Sequence, residues 1–180
     1  MKNRVKLQTA DKEILPRVLL LMADPSPELV SKYLEEGDCY PARIGDSTVG
    51  VCVLTAISSE IVELKNIAVE KTRQGQGIGK SILCEVSALL KQKGVSTLEA
   101  GTGSSSFNQL AFYQKAGFRI TDVVPEFFTD NYQEEISENG IRCRDMIRLA
   151  LDLTQDSTLL EGKWKPCKQS RHPLIGVDAG

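Results

Sequence analysis

The 180-residue chain holds a single histidine, His172, and that scarcity narrows its chemistry. Serine and cysteine nucleophiles usually pass their proton to an imidazole, and metal clusters usually include one. His172 lies in a polar C-terminal stretch, so neither a hydrolytic triad nor a metal centre has an anchor, and no metal is expected. Cysteine occurs at Cys39, Cys52, Cys84, Cys143 and Cys167, an odd number with no Cys-x-x-Cys pair. That argues against a disulfide framework or zinc knuckle and for a reducing cytoplasm. Long apolar runs are missing too. The longest, Val18 to Ala23, falls far short of the ~20 residues a membrane helix needs, and Met1-Lys2-Asn3-Arg4 leads into no signal-peptide core. A formal charge of −2 offers nucleic acid no broad basic surface. No internal repeat appears. The expectation is a soluble, cytoplasmic single domain over residues 1–153. A polar tail, 154–180, carries Trp164, Pro166, Pro173 and the basic group Lys163, Lys165, Lys168 and Arg171, and is assigned no function.

Within 1–153 the pattern alternates between helical and strand periodicity. Leu15 to Met22 reads as a short helix starting close to Pro16, since proline is tolerated only in a first turn. Ser26-Pro27-Glu28 sets a capping residue before a first-turn proline, and Leu29, Val30, Tyr33 and Leu34 recur at helical spacing until Gly37. Tyr40 to Ile44, a Gly45-Asp46-Ser47 turn and Val49 to Ile57 read as a hairpin, with Pro41 favouring a strand start or edge. A third strand, Ile61 to Val69, continues an antiparallel meander. A long amphipathic helix follows with Ile78, Ile82, Leu83, Val86, Leu89 and Leu90 on one face, ending at Gly94; Cys84 joins it as a buried, inert thiol. Val95 to Ala100 then reads as a strand parallel to Ile61 to Val69 through a right-handed crossover. Ser106-x-x-Gln109 predicts a capping box for a helix ended by Gly117, and Phe118 to Val124 and Cys143 to Leu151 supply two last strands. The class is mixed α/β: a central mixed sheet with helices on both faces.

Between the third strand and the long helix lies Arg73-Gln74-Gly75-Gln76-Gly77-Ile78-Gly79-Lys80. Glycines at alternate positions leave backbone N–H groups bare at the positive end of a helix, where a phosphate can approach. A Walker A loop would place its first glycine at Gln74, and a dinucleotide fingerprint would place its third at Lys80, with Glu99 the only nearby acidic partner; both fail. The pattern that fits is Gln74-x-x-Gly77-x-Gly79, preceded by Ile67-Ala68-Val69. Downstream stands Asn108-Gln109-Leu110-Ala111-Phe112-Tyr113-Gln114-Lys115-Ala116-Gly117-Phe118.

Together these two stretches resemble the coenzyme A loop and second motif of the GNAT superfamily of acetyl-CoA-dependent N-acetyltransferases. The resemblance covers about Ile61 to Arg119 and implies a GNAT-like three-layer fold with acetyl-CoA as cosubstrate. It implies that Ile67, Ala68, Val69, Gln74, Gly75, Gln76, Gly77, Ile78, Gly79 and Lys80 bind the cofactor, that Asn108 meets its pantetheine arm and that Tyr113 stands near its sulfur.

Acetyl transfer to an amine needs a neutral nucleophile, a home for the developing oxyanion and a proton for the leaving thiolate. Tyr113 is the candidate acid; helical spacing with Leu110 equally allows a core aromatic. Glu63 is the candidate base, at a position where some family members carry a glutamate, while a structural pair with Lys65 accounts for it equally well. Glu60 is a weaker substitute, and a water chain is a third route. A backbone N–H near Ile67 to Val69 would meet the oxyanion if that strand bulges. The acceptor is expected to be a primary amine of a small molecule or peptide, and a homodimer is compatible with the sequence. Glu126 to Asn139, acidic and interleaved with Phe127, Phe128 and Tyr132, reads as a solvated loop or lid, or as an aromatic mouth for a cationic amine. The alternative function is a non-catalytic acetyl-CoA-binding regulatory protein on the same fold.

Overall fold

The computed structural model describes residues 5–9 and 17–155. Its strands, numbered along the chain, are β1 (Lys6–Leu7), β2 (Asp38–Ile44), β3 (Ser47–Ala56), β4 (Ile61–Val69), β5 (Thr97–Gly103), β6 (Arg119–Val124), β7 (Ser137–Glu138), β8 (Ile141–Arg142) and β9 (Met146–Asp152). The helices are α1 (Arg17–Ala23), α2 (Pro27–Glu36), α3 (Ile78–Gln92), α4 (Phe107–Lys115) and α5 (Phe127–Asn131). Seven strands form one sheet in the order β1-β2-β3-β4-β5-β9-β6, with β7 and β8 a separate hairpin. β4 and β5 pair in parallel through the α3 crossover; every other neighbour is antiparallel. The expected start of α1 near Pro16, the tail 154–180 beyond Gln155, Cys167 and His172 lie outside the described residues.

Local chemistry explains the element ends. The Ser26 side chain accepts from the Leu29 N–H at 3.2 Å and Pro27 opens α2, while the Gly37 N–H closes it on the Tyr33 carbonyl. Gly45, at φ 59°, makes the tight β2–β3 turn. Pro41 falls inside β2, and its carbonyl accepts from the Gln8 N–H on the outer side. Its missing donor therefore points away from β3 and costs the inner ladder nothing.

Two cores flank the sheet. On one face α3, through Ile82, Leu83 and Val86, and α4, through Tyr113, pack onto Leu98 and Leu149 of the sheet, with Phe118 beside them. On the other, α1 and α2 bring Leu20, Val30, Tyr33 and Leu34 against Val51, Val53 and Ala68. This is the expected three-layer arrangement, with one asymmetry: the second core reaches only β2 to β4. Over β5 and β9 that face carries Glu99, Arg148 and Met146, and it is left open as a cleft.

β4 shapes that cleft by two departures from regularity. Its register with β3 slips between Val53↔Asn66 and Leu54↔Leu64, so Lys65 is an extra residue. The bulge flips the side-chain alternation: Val62 and Leu64 point into the α3 core, yet after it Ala68 points into the α1–α2 core and Ile67 toward α3. Glu63, Lys65 and Asn66 are thereby gathered on the cleft side. The parallel pairing with β5 stops at Leu64↔Ala100, although both strands continue, so they part like a wedge and the cleft enters there.

Several boundaries differ from the sequence expectation for local reasons. Lys6–Leu7 adds a short edge strand that too few residues foretold. The acidic stretch is more ordered than a loop, containing α5 and the β7–β8 hairpin, whose Asn139-Gly140 turn has φ 54° and 73°. The last strand begins at Met146, because the Cys143 N–H is bonded to the Ile136 carbonyl within the insertion. The Ser106 capping box does not form; Ser106 precedes α4, but its side chain makes no capping bond.

Candidate active site

The cleft occupies about 1280 Å³ and runs from the start of α3, past the parted edges of β4 and β5, to the α1–α2 connection and α5. At its first end the main chain does the work. Gly75 and Gly77 have φ of 74° and 80°, and Gly77 is the N-cap of α3. Nothing lies within 4 Å of a Cβ placed on either, so backbone conformation, rather than space, demands glycine there. At Gly79 the reason is space: a Cβ would come within 3.2 Å of the Phe112 ring. The first helical hydrogen bond runs from the Ser81 N–H to the Gly77 carbonyl, so the amides before it face outward without a helical acceptor. Gln74 donates through its side chain to the Val69 carbonyl at 3.1 Å and ties the turn to β4. Gln76 turns back to the Thr72 carbonyl, and its side chain does not line the cleft. Ile67, Ala68, Val69, Gln74, Gly75, Gly77, Ile78, Gly79 and Lys80 all do.

Tyr113 and Asn108 enter from α4. The Tyr113 ring is wedged between Phe112 and Phe118 at centroid distances of 5.3 Å, yet it borders the cleft. Core residue and cleft residue are here the same residue. Burial pushes its phenol pKa well above the ordinary value, so the proton stays on at neutral pH. Asn108 is exposed on the first turn of α4 and also borders the cleft.

Glu63 lies on the floor, 8% exposed. Its carboxylate meets the Lys65 ammonium at 2.5 Å and the Arg148 guanidinium at 3.9 Å, and Arg148 also reaches Glu99 at 2.5 Å. The Glu63–Lys65 pair is therefore real, and it coexists with a place in the cleft. Glu60 is remote from the cleft: its carbonyl anchors Ser96 and Thr97 at the far end of β4. The parted edge of β4 from Lys65 to Val69 has no strand across it, the bulged geometry an oxyanion donor was expected to need.

The other end is built from residues that no short motif marks. Asn66, 4% exposed, donates to the Tyr33 hydroxyl at 2.7 Å and the Leu20 carbonyl at 2.9 Å, pinning α1 and α2 above β4. Asp24, between those helices, accepts from the Ser26 N–H at 3.1 Å and from the Tyr132 hydroxyl at 3.2 Å. Burial raises its carboxyl pKa, and those two hydrogen bonds offset part of the rise. Tyr132 follows α5, whose start is clamped at Glu126. That residue, at φ 56°, is bonded by Arg144, by Thr129 and, through its N–H, by Asp145. Arg148, Asp24 and Tyr132 come from segments far apart in sequence; an unpaired acid beside a proline turn and an aromatic in an acidic run were the only traces.

Among the described residues no disulfide links the cysteines, and no helix is long and apolar enough to cross a membrane. A GNAT acetyltransferase domain model matches residues 35–120, which include the glycine turn and α4. The uncharacterized N-acetyltransferase YvbK of Bacillus subtilis is 50% identical over 135 residues, 75% of this chain and 87% of that protein. A GNAT family acetyltransferase from Elizabethkingia anophelis, solved with acetyl-CoA bound, is 45% identical with a TM-score of 0.80, covering 84% of this chain and 99% of its own. The IAA acetyltransferase of Bacillus cereus is 47% identical with a TM-score of 0.77, covering 82% and 99%. A bare-amide turn before a core helix, a bulged strand parting from its parallel neighbour and this identity over most of the fold together place the chain in the GNAT family of acetyltransferases.

Proposed function

We propose that this acetyltransferase takes the acetyl group of acetyl-CoA and passes it directly to a primary amine of a small molecule or peptide. The observation that carries the reading is continuity: one cleft joins the bare amides before α3, the unpaired edge of β4 and the carboxylate of Glu63. The donor end suits a diphosphate, since glycine leaves the amides from Gly75 to Lys80 open at the positive end of a 15-residue helix. Bound there, acetyl-CoA supplies an activated acetyl carbon. Lys80 adds positive charge, Asn108 offers an amide to the pantetheine arm, and backbone donors along Ile67 to Val69 face the developing oxyanion.

Tyr113 holds its proton at neutral pH and gives it to the departing thiolate. Glu63 takes the amine proton, directly or through a water, while Lys65 and Arg148 hold its carboxylate at the floor. We assign this chemistry to a unit over residues 1–153, working in the cytoplasm, where its thiols stay reduced. Calorimetry with acetyl-CoA, followed by thiol release with amines and peptides, tests the reading. Absence of acetyl-CoA binding refutes it, and binding without thiol release from any amine favours a regulatory binder instead.

A further inference from the structure

Asp24 stands out among the carboxylates that line the cleft, Glu36, Glu63 and Glu138 being the others, because it is partly buried and accepts two hydrogen bonds yet has no cation. Glu63 is paired with Lys65 and Arg148, Glu99 with Arg148, and on the acidic insertion Glu126 with Arg144 and Glu135 with Arg142. Among the described residues Asp24 forms no ion pair. Lys32 on α2 borders the same arm of the cleft, but it makes neither an ion pair nor a hydrogen bond with Asp24. Both hydrogen bonds that Asp24 accepts fall on Oδ1, which leaves Oδ2 open to a donor. A partly desolvated carboxylate in that condition is costly until a cation joins it.

The surroundings suit a cation on a short apolar stem. Tyr33 and Tyr132 line the cleft beside Asp24, and Tyr132 stacks on Phe128 at 5.3 Å, so ring faces are at hand for an ammonium. Leu21 and Met22 give the α1 rim exposed apolar surface against which methylene groups can lie.

That cation is not the reacting amine. Attack on a thioester needs a lone pair, so the nucleophile sheds its proton, whereas a group that neutralises Asp24 keeps its charge throughout. We infer that the acceptor is a diamine, whose second, non-reacting ammonium group docks on Asp24 between Tyr33 and Tyr132 while its reacting amine lies toward Glu63. The inference rests on the acetyl-transfer reading above and adds the acceptor class to it. In the step itself the neutral amine nitrogen bonds to the acetyl carbon, the carbon–sulfur bond breaks, the amine proton leaves toward Glu63 and the thiolate is protonated; the docked ammonium is unchanged.

The test compares diamines from diaminopropane to diaminohexane with n-alkylamines of matching length, at saturating acetyl-CoA, in wild-type and Asp24→Asn enzyme. Asparagine keeps an oxygen for Ser26 and Tyr132 and removes only the charge. In wild type the best diamine should exceed its matched monoamine in kcat/KM by about tenfold or more, through KM. In Asp24→Asn the two should fall within about threefold of each other, with the affinity for CoA unchanged. Equal use of monoamines and diamines by wild type, survival of the preference in Asp24→Asn, or no diamine acetylated by an enzyme that binds CoA would each overturn the inference. Calorimetry with CoA alone reads the donor site separately, so a failure of the acetyltransferase reading is seen as such.

Discussion

The two arms of the cleft are made of different material. On the proposed reading the donor arm is mostly main chain: amides from Gly75 to Lys80, shaped by two left-handed glycines and tied by the Gln74 side chain, with Lys80 and Asn108 adding side chains at its edges. The acceptor arm is side chains, Asp24, Tyr33, Asn66, Tyr132 and Arg148, delivered by elements far apart in sequence: hydrogen bonds join Tyr33 to Asn66 and, across 108 residues, Asp24 to Tyr132, while Glu63 and Glu99 hold Arg148. Main-chain donors recognise a feature common to all CoA thioesters and tolerate little change in the turn. A side-chain arm can be rebuilt residue by residue without disturbing the amides. On the proposed reading the chemistry lies where the arms meet, with Tyr113 contributed from the donor side and Glu63 from the acceptor side.

Substitutions at that junction should have the largest effect. Tyr113→Phe keeps the ring packing and removes the proton donor, so kcat should fall by about 10²–10⁴ with little change in the KM for acetyl-CoA. A parallel loss of acetyl-CoA binding would reassign Tyr113 to the donor arm as a packing residue. Glu63→Gln should lower kcat by about 10² at neutral pH. Because it leaves Lys65 and Arg148 with one carboxylate fewer, Lys65→Met serves as its partner. If Glu63 only pairs Lys65, the two variants should lose activity equally; if it is the base, Lys65→Met retains most of the rate.

Within the donor arm the contrast between its two kinds of glycine can be made sharp. Gly77→Ala forces an alanine into φ 80° and should cost about 1–3 kcal/mol of backbone strain, raising the KM for acetyl-CoA about tenfold or more. Gly79→Ala has no φ penalty but presses on Phe112, a ring that can give by a few tenths of an ångström. It should therefore act more weakly on acetyl-CoA and show mainly as a small loss in melting temperature. Equal effects at the two positions would mean that the turn is flexible enough to rebuild.

The same contrast explains what could be read from the chain. A site made of main chain leaves its mark as glycine spacing, so Gln74-x-x-Gly77-x-Gly79 and the helix after it were legible, as were the meander, the crossover and the place of Tyr113 beside the cleft. Boundaries failed where a bond from outside the element decides them: Cys143 leaves the last strand because it bonds to the Ile136 carbonyl, and β1 exists only because β2 offers an edge. The acidic insertion was misread as loop, since its order rests on Glu126 in a left-handed conformation fixed by Arg144, Thr129 and Asp145. Asp24, Arg148 and Asn66 carry no spacing signal, because what unites them is a bulge at Lys65 and the end of pairing at Leu64↔Ala100.

Asp24 also supplies the smallest effect, one of opposite sign from the rest. Burial raises its carboxyl pKa above the unfolded value, so the folded state binds its proton more tightly than the unfolded chain does. The stability this contributes is fully present below the unfolded value of 3.8 and is lost as pH rises through the folded pKa. At neutral pH the ionised group is therefore a net cost, which Asp24→Asn removes. The variant should melt slightly higher than wild type near pH 7, with the difference shrinking as pH falls toward about 4. Adding a diamine should reverse the order at neutral pH, because only wild type gains the docked ammonium. A variant that is less stable at neutral pH would mean that the two hydrogen bonds on Oδ1 outweigh the burial of its charge, and the acceptor arm would then be a structural brace held by Tyr132 rather than a seat for a cation.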